Sequence, residues 1–372
     1  MASPASLPVV KPRPFITANQ VTFLRLALIP IPCWMLYQGH HAQVYSIIIA
    51  TILGSTDFVD GYLARKYGPT KLGGLMDPIA DKVFVAVTFI PALQQLPISW
   101  WFVMALFVRE FLVTAARTSY EKRDLSLKST YLARYKTWTQ MCGVAFLFLF
   151  SILDQRGMTI FFGSLMMTAL IGFLIIFAIT RKPWKGAGWY FLSAIFLVAG
   201  QHFGGTPFMR VALLYFIVGV TWASGLGYLS NVGQLRGRGP VTAGEIIRLA
   251  TSVALPILIV LLAAPGMHQG EAPKWALIAL VSIELAHGGL DNLLAAYHAE
   301  SGALEWGGRL LLECGLLGAA LVAPAGFSQD VACIAALVVA LLGLTFSAIQ
   351  KRRYYLDETV GREPALSANP NL

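Results

Sequence analysis

The chain has 372 residues, of which 56% are hydrophobic and 13% charged, and its mean hydropathy is +0.65. Soluble domains carry roughly 25% charged residues, so a soluble fold of this length would expose far too much apolar surface to water. Long apolar runs also exclude collagen-like, disordered and disulfide-scaffold classes. The net charge is +9, from 28 Lys and Arg against 19 Asp and Glu. Its basic residues lie between apolar runs, which fits the positive-inside rule and contact with anionic lipid better than a nucleic-acid footprint.

A spanning helix needs roughly 20 mostly apolar residues. Twelve such stretches run near 22–38, 43–65, 79–97, 100–119, 134–153, 158–180, 186–203, 208–230, 244–264, 274–297, 303–324 and 329–349. Lys11 and Arg13 precede the first, and no small-residue cleavage site follows it, so the start reads without a signal peptide. Arg65, Lys66 and Lys71 lie between the second and third, and Lys122, Arg123, Lys128 and Arg134 between the fourth and fifth. Arg181, Lys182 and Lys185 follow the sixth, Arg236 and Arg238 the eighth, and Lys351, Arg352 and Arg353 the twelfth. All fall on one side if both termini are cytoplasmic, whereas four of the opposite loops carry only Arg156. The expected fold is an all-α integral membrane protein. Cys33, Cys142, Cys314 and Cys333 sit in apolar runs without CxxC spacing, so neither zinc nor a disulfide framework is indicated. The turn Lys182-Pro183-Trp184-Lys185 divides a charge-bearing region, 1–183, from an additional transmembrane region, 184–372.

The chemistry concentrates at the end of the second span and the start of the third. Asp57 and Asp60 are three apart, and Asp77 and Asp81 four apart, so on helices each pair shares a face. Four carboxylates at a membrane boundary repel one another and are costly to desolvate, and hard divalent cations relieve both problems. All-oxygen donors suit Mg²⁺ or Mn²⁺ and argue against zinc. Gly61 and Ala64, on the first pair's face, lack bulk and leave room for a ligand against the backbone. Arg65 is placed to pair with a phosphate. A lone Asp here would read as a helix cap. Four at two helical spacings, with Gly, Ala and Arg between them, read as a metal site beside a slot for a phosphorylated planar group.

The pattern Asp57-x2-Asp60-Gly61-x2-Ala64-Arg65-x7-Gly73-x3-Asp77-x3-Asp81 resembles the signature of the CDP-alcohol phosphotransferase family at all eight positions. The resemblance covers residues 15–182. It implies a six-helix membrane enzyme, usually homodimeric, that transfers the phosphate-bearing part of a CDP-linked alcohol to a second alcohol and releases CMP. It also implies that Asp57, Asp60, Asp77 and Asp81 hold two divalent ions. Asp81 would double as general base, and Gly61, Ala64, Arg65 and Gly73 would line the cytidine nucleotide site. The setting would be a bacterial inner membrane with the site facing the cytoplasm, and no nucleic acid would be involved.

A second group of residues bears on the acceptor. Arg109 and Arg117 lie about two turns apart on the fourth span and face the same way. Arg134 and Lys136 open the fifth. Charge inside an apolar run is costly, which marks Arg109 and Arg117 as candidates for an anion site. Lys122, Arg123 and Lys128 read as membrane-surface anchors. The stretches Thr17 to Pro30, Met76 to Val83, Arg109 to Arg117 and Tyr135-Lys136-Thr137 are similar to the phosphatidylglycerophosphate synthase branch. That branch takes CDP-diacylglycerol as donor and glycerol 3-phosphate as acceptor. Ala133-Arg134 departs from the branch's usual Gly-Lys, which keeps charge but not geometry. Inositol phosphate or phosphatidylglycerol stays open as acceptor.

Six further spans exceed what the family usually has. Thr242 to Ala250 with Pro256 echoes Thr17 to Ala27 with Pro30, and Asp291-Asn-Leu-Leu-Ala295 echoes Asp60-Gly-Tyr-Leu-Ala64. In this register Gly288 stands for Asp57, and Arg309 and Glu313 fall near the places of Asp77 and Asp81. Residues 184–372 would then be a degenerate duplicate without metal ligands. Glu284, His287 and Asp291 share one helix face and read as an interhelical hydrogen-bonded patch rather than a metal site. A two-repeat transporter is the competing reading on span count.

Overall fold

The computed structural model describes residues 16–68, 70–123, 125, 131–181, 187–226, 241–265, 274–295, 303–324 and 326–356. The boundary expected at 183/184 lies outside them. All regular structure among the described residues is helical. The helices are α1 (Ala18–Leu28), α2 (Pro30–Met35), α3 (His40–Tyr67), α4 (Lys71–Gln95), α5 (Trp100–Glu121), α6 (Tyr131–Ile152) and α7 (Gln155–Thr180). They continue with α8 (Ala187–Ala223), α9 (Ala243–Ala263), α10 (Lys274–Ala295), α11 (Ala303–Val322), α12 (Phe327–Gln350) and the short α13 (Arg352–Leu356).

The breaks follow from the sequence. Thr17 opens α1 with a capping box: its hydroxyl accepts from the Gln20 amide, and the Gln20 side chain accepts from the Thr17 amide. Pro30 has no N–H to continue α1, so the first predicted span divides into α1 and α2. Gly68, at φ 109°, closes α3, and Thr70 caps α4 by accepting from the Gly73 amide at 2.9 Å. Gly205, at φ 72° and two residues before Pro207, interrupts α8, so the expected spans 186–203 and 208–230 give way to one helix whose arms run over 187–204 and 206–223.

α3, α7, Ser193–Ala223, α9, α10 and α12 are long and apolar enough to cross a membrane. α7 shows how: Ile171, Leu174, Ile175, Phe177 and Ile179 all lie exposed, an arrangement suited to lipid and unsuited to water. α4, α5, α6 and α11 combine spanning length with the polar side chains of the site and its supports. The protein is an all-α integral membrane protein.

α1 packs on α3 and α4, which brings the first helix to both acid-bearing helices. α9 and α10 pack on α5, and α10 also on α4. One apolar cluster runs through Phe89 and Phe107 of the N-terminal helices into Ile259, Leu280 and Leu317 of the C-terminal ones.

Polar ties join the same surfaces. Thr242 opens α9 with a second capping box on Glu245, and Arg123 donates to both Glu245 carboxylate oxygens at 2.6 and 2.9 Å. Arg123 is therefore an interhelical partner rather than the surface anchor expected of it. Arg248 pairs with Asp291 at 2.9 Å, while Arg309 bonds Glu284 and lies 2.7 Å from Glu313. Thus Glu284 and Asp291 form interhelical ion pairs, and neither ring nitrogen of buried His287 has a hydrogen-bond partner among the described residues.

Removing one member of a buried ion pair leaves the other uncompensated. Glu245→Ala is expected to destabilise the protein by about 3 kcal/mol. A lowered midpoint in thermal unfolding in detergent would report it, and an unchanged midpoint would show that the Arg123–Glu245 tie contributes nothing.

Candidate active site

The acid cluster is built around a cation. Arg25, on α1, is 1% exposed. Its guanidinium donates to Asp57 Oδ1 at 3.2 Å through both terminal nitrogens and to Asp60 Oδ2, and lies 3.7 Å from Asp81 Oδ1. Thr22, one turn earlier, places its hydroxyl 3.1 Å from both Asp60 Oδ2 and Asp77 Oδ1. Two side chains of α1 therefore touch all four carboxylates of α3 and α4. Pro78, inside α4 between Asp77 and Asp81, has no N–H to bond the Gly74 carbonyl one turn back.

The carboxylates differ in access. Asp60 is buried, Asp77 and Asp81 are half-buried, and Asp57 is exposed. Asp81 Oδ1 is a buried atom that accepts no hydrogen bond. Among the described residues no three acidic, His or Cys side chains stand ready to enclose a cation as they are, since three of the four acids turn onto Arg25. Still, an all-carboxylate donor set with an unsatisfied buried oxygen fits a hard divalent ion by chemistry.

Gly61 follows Asp60 on α3, and a Cβ there would lie 3.5 Å from the Arg65 guanidinium, so Arg65 folds over the glycine. Gly61 and Arg65 both line the large cavity described below, while Ala64 and Gly73 do not. Gly73 serves a tighter purpose. A Cβ at that position would come 2.9 Å from Asn19 Oδ1 and 3.1 Å from Thr70 Oγ1, which hydrogen-bond each other at 2.8 Å.

The basic group surrounds a buried acid. Glu110, 3% exposed, accepts from Lys136 at 2.8 and 2.9 Å, from Arg109 at 3.2 Å and from Gln140 at 3.3 Å. Lys82, next to Asp81, donates to Thr114 at 2.6 Å. Arg109, Arg117, Lys136 and Lys82 all line the same cavity as Asp57 and Asp81. The side chain of Arg134 lies outside the described residues. Thr22, Arg25, Lys82 and Glu110 belong to the site although the sequence reading gave them no role there. Their signal was membership of the stretches Thr17 to Pro30, Met76 to Val83 and Arg109 to Arg117.

The cavity has a volume of about 1470 Å³. Its polar end carries the acids and cations. Its other walls are apolar, from Ile48 and Ile52 of α3, Val144 and Phe148 of α6, and Phe161 and Leu165 of α7. Ile48 and Ile52 are exposed. The arrangement can therefore hold a phosphorylated headgroup and its lipid tails at once.

The part of the chain that carries this site matches known proteins. The family model of the CDP-alcohol phosphatidyltransferases matches residues 15–176. Relatives extend the match to most of their own length. The CDP-diacylglycerol–glycerol-3-phosphate 3-phosphatidyltransferase of Rickettsia bellii is 32% identical over 146 residues, 39% of this chain and 78% of the relative. The enzyme of the same name from Rickettsia typhi is 31% identical over 163 residues, 42% of this chain and 92% of the relative. Its counterpart from Bacillus subtilis is 31% identical over 152 residues, 37% and 79% respectively. No solved structure matches. The chain belongs to the CDP-alcohol phosphatidyltransferase family. It is an integral membrane phosphatidyltransferase acting on a CDP-linked alcohol.

Because Arg25 compensates three acids at once, Arg25→Met is expected to destabilise the protein by about 3–5 kcal/mol. Arg25→Lys keeps the charge but not the fork that reaches Asp57 and Asp60 together, and should fall between. Thermal unfolding of the three proteins side by side checks the order.

Proposed function

We propose that this chain transfers the phosphatidyl group of CDP-diacylglycerol to glycerol 3-phosphate, releasing CMP, at the cytoplasmic face of a bacterial inner membrane. The observation that carries the reading is one cavity bordered by an acid cluster, a basic cluster and apolar walls. Relatives named for that donor and acceptor support it.

Each wall then has a task. The apolar residues of α3, α6 and α7 take the acyl chains, and Arg65 over Gly61 pairs with a phosphate of the donor. Lys82 and Arg117 receive the acceptor phosphate, with Arg109 and Lys136 held beside them by Glu110. Asp57, Asp60, Asp77 and Asp81 would hold Mg²⁺ or Mn²⁺, which when bound neutralises the pyrophosphate and stabilises the departing CMP. Asp81 takes the proton of the acceptor hydroxyl as that oxygen bonds the β-phosphorus. The bond from the β-phosphorus to the bridging oxygen breaks, and CMP leaves with its electron pair.

We read residues 184–372 as a degenerate duplicate standing where a second copy would pack. Two parallels support this: capping boxes at Thr17 and Thr242, and the pairings Arg25–Asp60 and Arg248–Asp291. On that reading the chain should run as a monomer in native mass spectrometry from detergent, and a stable homodimer would count against it.

Purified enzyme given labelled CDP-diacylglycerol should release CMP only with both glycerol 3-phosphate and Mg²⁺ present. Release with no phosphorylated acceptor would refute the acceptor assignment. Asp81→Asn should abolish transfer, and near-normal turnover would remove Asp81 as base. Arg117→Ala should raise the acceptor KM while leaving that of CDP-diacylglycerol unchanged.

A further inference from the structure

The cavity is not walled by the family-matched region alone. Ser224, after the second arm of α8, and Asn292, on the last turn of α10, both line it, and both lie beyond residue 176. Two adjacent glycines bring α10 to this depth. A Cβ at Gly288 would stand 2.8 Å from Thr114 Cγ2, and one at Gly289 would stand 2.7 Å from Ile79 Cγ1, so only glycine permits so close an approach to α4 and α5. Asn292 follows one turn later on the same helix.

The hydrogen bonding of Asn292 is half used. Its Oδ1 accepts from Thr118 Oγ1 at 2.6 Å, and Thr118 follows Arg117 in the chain. Its amide NH₂ makes no hydrogen bond among the described residues and belongs to a half-buried side chain at the cavity wall. The Thr118 bond engages the amide oxygen, and the amide carries two N–H donors in a side chain that lines the same cavity as Lys82 and Arg117. Ser224 acts at second hand. Its hydroxyl accepts from Arg109 Nη2 at 2.7 Å and donates to the Thr221 carbonyl at 2.7 Å. Gly225 beside it leaves room for the same guanidinium.

We infer that the additional helices complete the acceptor end of the cavity. Asn292 is a specificity-determining residue whose amide N–H donates to an oxygen of the phosphorylated acceptor, and Ser224 is a positioning residue for Arg109. The inference rests on the acceptor reading above. A neutral N–H donor beside Arg117 and Lys82 suits an anionic oxygen without adding charge to a region already crowded with cations.

The test uses the full-length enzyme in lipid nanodiscs, with each substrate varied at saturating concentration of the other. Asn292→Ala is expected to raise the KM for glycerol 3-phosphate about tenfold, the loss of one hydrogen bond to a charged group. The KM for CDP-diacylglycerol should not move. Asn292→Asp keeps the shape and an oxygen for Thr118, and sets a carboxylate against the phosphate, so it should raise the acceptor KM further. This near-isosteric variant carries the test if the alanine variant does not fold. An unchanged acceptor KM in the folded variants, or a change confined to the CDP-diacylglycerol KM, overturns the inference. Should the wild type prefer an unphosphorylated acceptor, the glycerol 3-phosphate reading fails, and Asn292 is judged on the KM of that acceptor instead.

Discussion

The guanidinium of Arg25 is the interaction on which the rest of this structure depends. Acidic side chains drawn together at the edge of an apolar bundle would drive α3 and α4 apart, because charges there are poorly screened and poorly hydrated. One buried fork touches three of the acids, and Thr22 one turn away touches the remaining one. α1 is thereby an electrostatic clasp as well as a packing element. Its capping box at Thr17 sets where that helix starts and hence where both residues point.

A second neutralisation of opposite sign stands beside the first. Glu110 is the buried acid around which Lys136, Arg109 and Gln140 gather, as Arg25 is the buried base around which the aspartates gather. The two arrangements meet in one cavity. Each holds its like-charged groups close without leaving the bundle strongly charged, and the Glu110 group is steadied from outside: Gln140 reaches Thr221, and Arg109 reaches Ser224. Packing of α9 and α10 on α5 gives those supports a rigid backing.

Much of this was legible in the sequence, for reasons that mark where such reading stops. The aspartates were visible because spacings of three and four put them on helix faces, and helix geometry holds regardless of the remaining fold. Arg109 and Arg117 were visible because charge in an apolar run needs a reason. Arg25 also lay in an apolar run, yet its partners sit on two other helices, and no local spacing links residue 25 to residues 57 and 81. Arg123 looked like a surface cation until Glu245 was placed against it across more than a hundred residues. Ser224 carried no signal and Asn292 only its place in the Asp291-Asn-Leu-Leu-Ala295 echo, since both are ordinary polar residues whose position depends on the break at Gly205 and a close helix approach at Gly288. Hydropathy located most of the helical stretches, but not that the first would divide at Pro30, where the N–H is missing, or that the seventh and eighth would join in one helix broken at Gly205.

The apolar walls of the cavity have a consequence for how the enzyme is supplied. Ile48 and Ile52 of α3 line the cavity and are exposed, as are Phe58 of α3 and Trp138 of α6, whose ring centroids lie 5.0 Å apart. On a spanning helix, these apolar side chains give the cavity a wall suited to lipid. A lipid-anchored donor reaching this site searches in two dimensions and never leaves the membrane, so its effective concentration is a mole fraction of lipid rather than a molarity. Turnover in such an enzyme is diluted by adding inert lipid at constant total substrate, a behaviour that follows from the direction in which one helix face is turned.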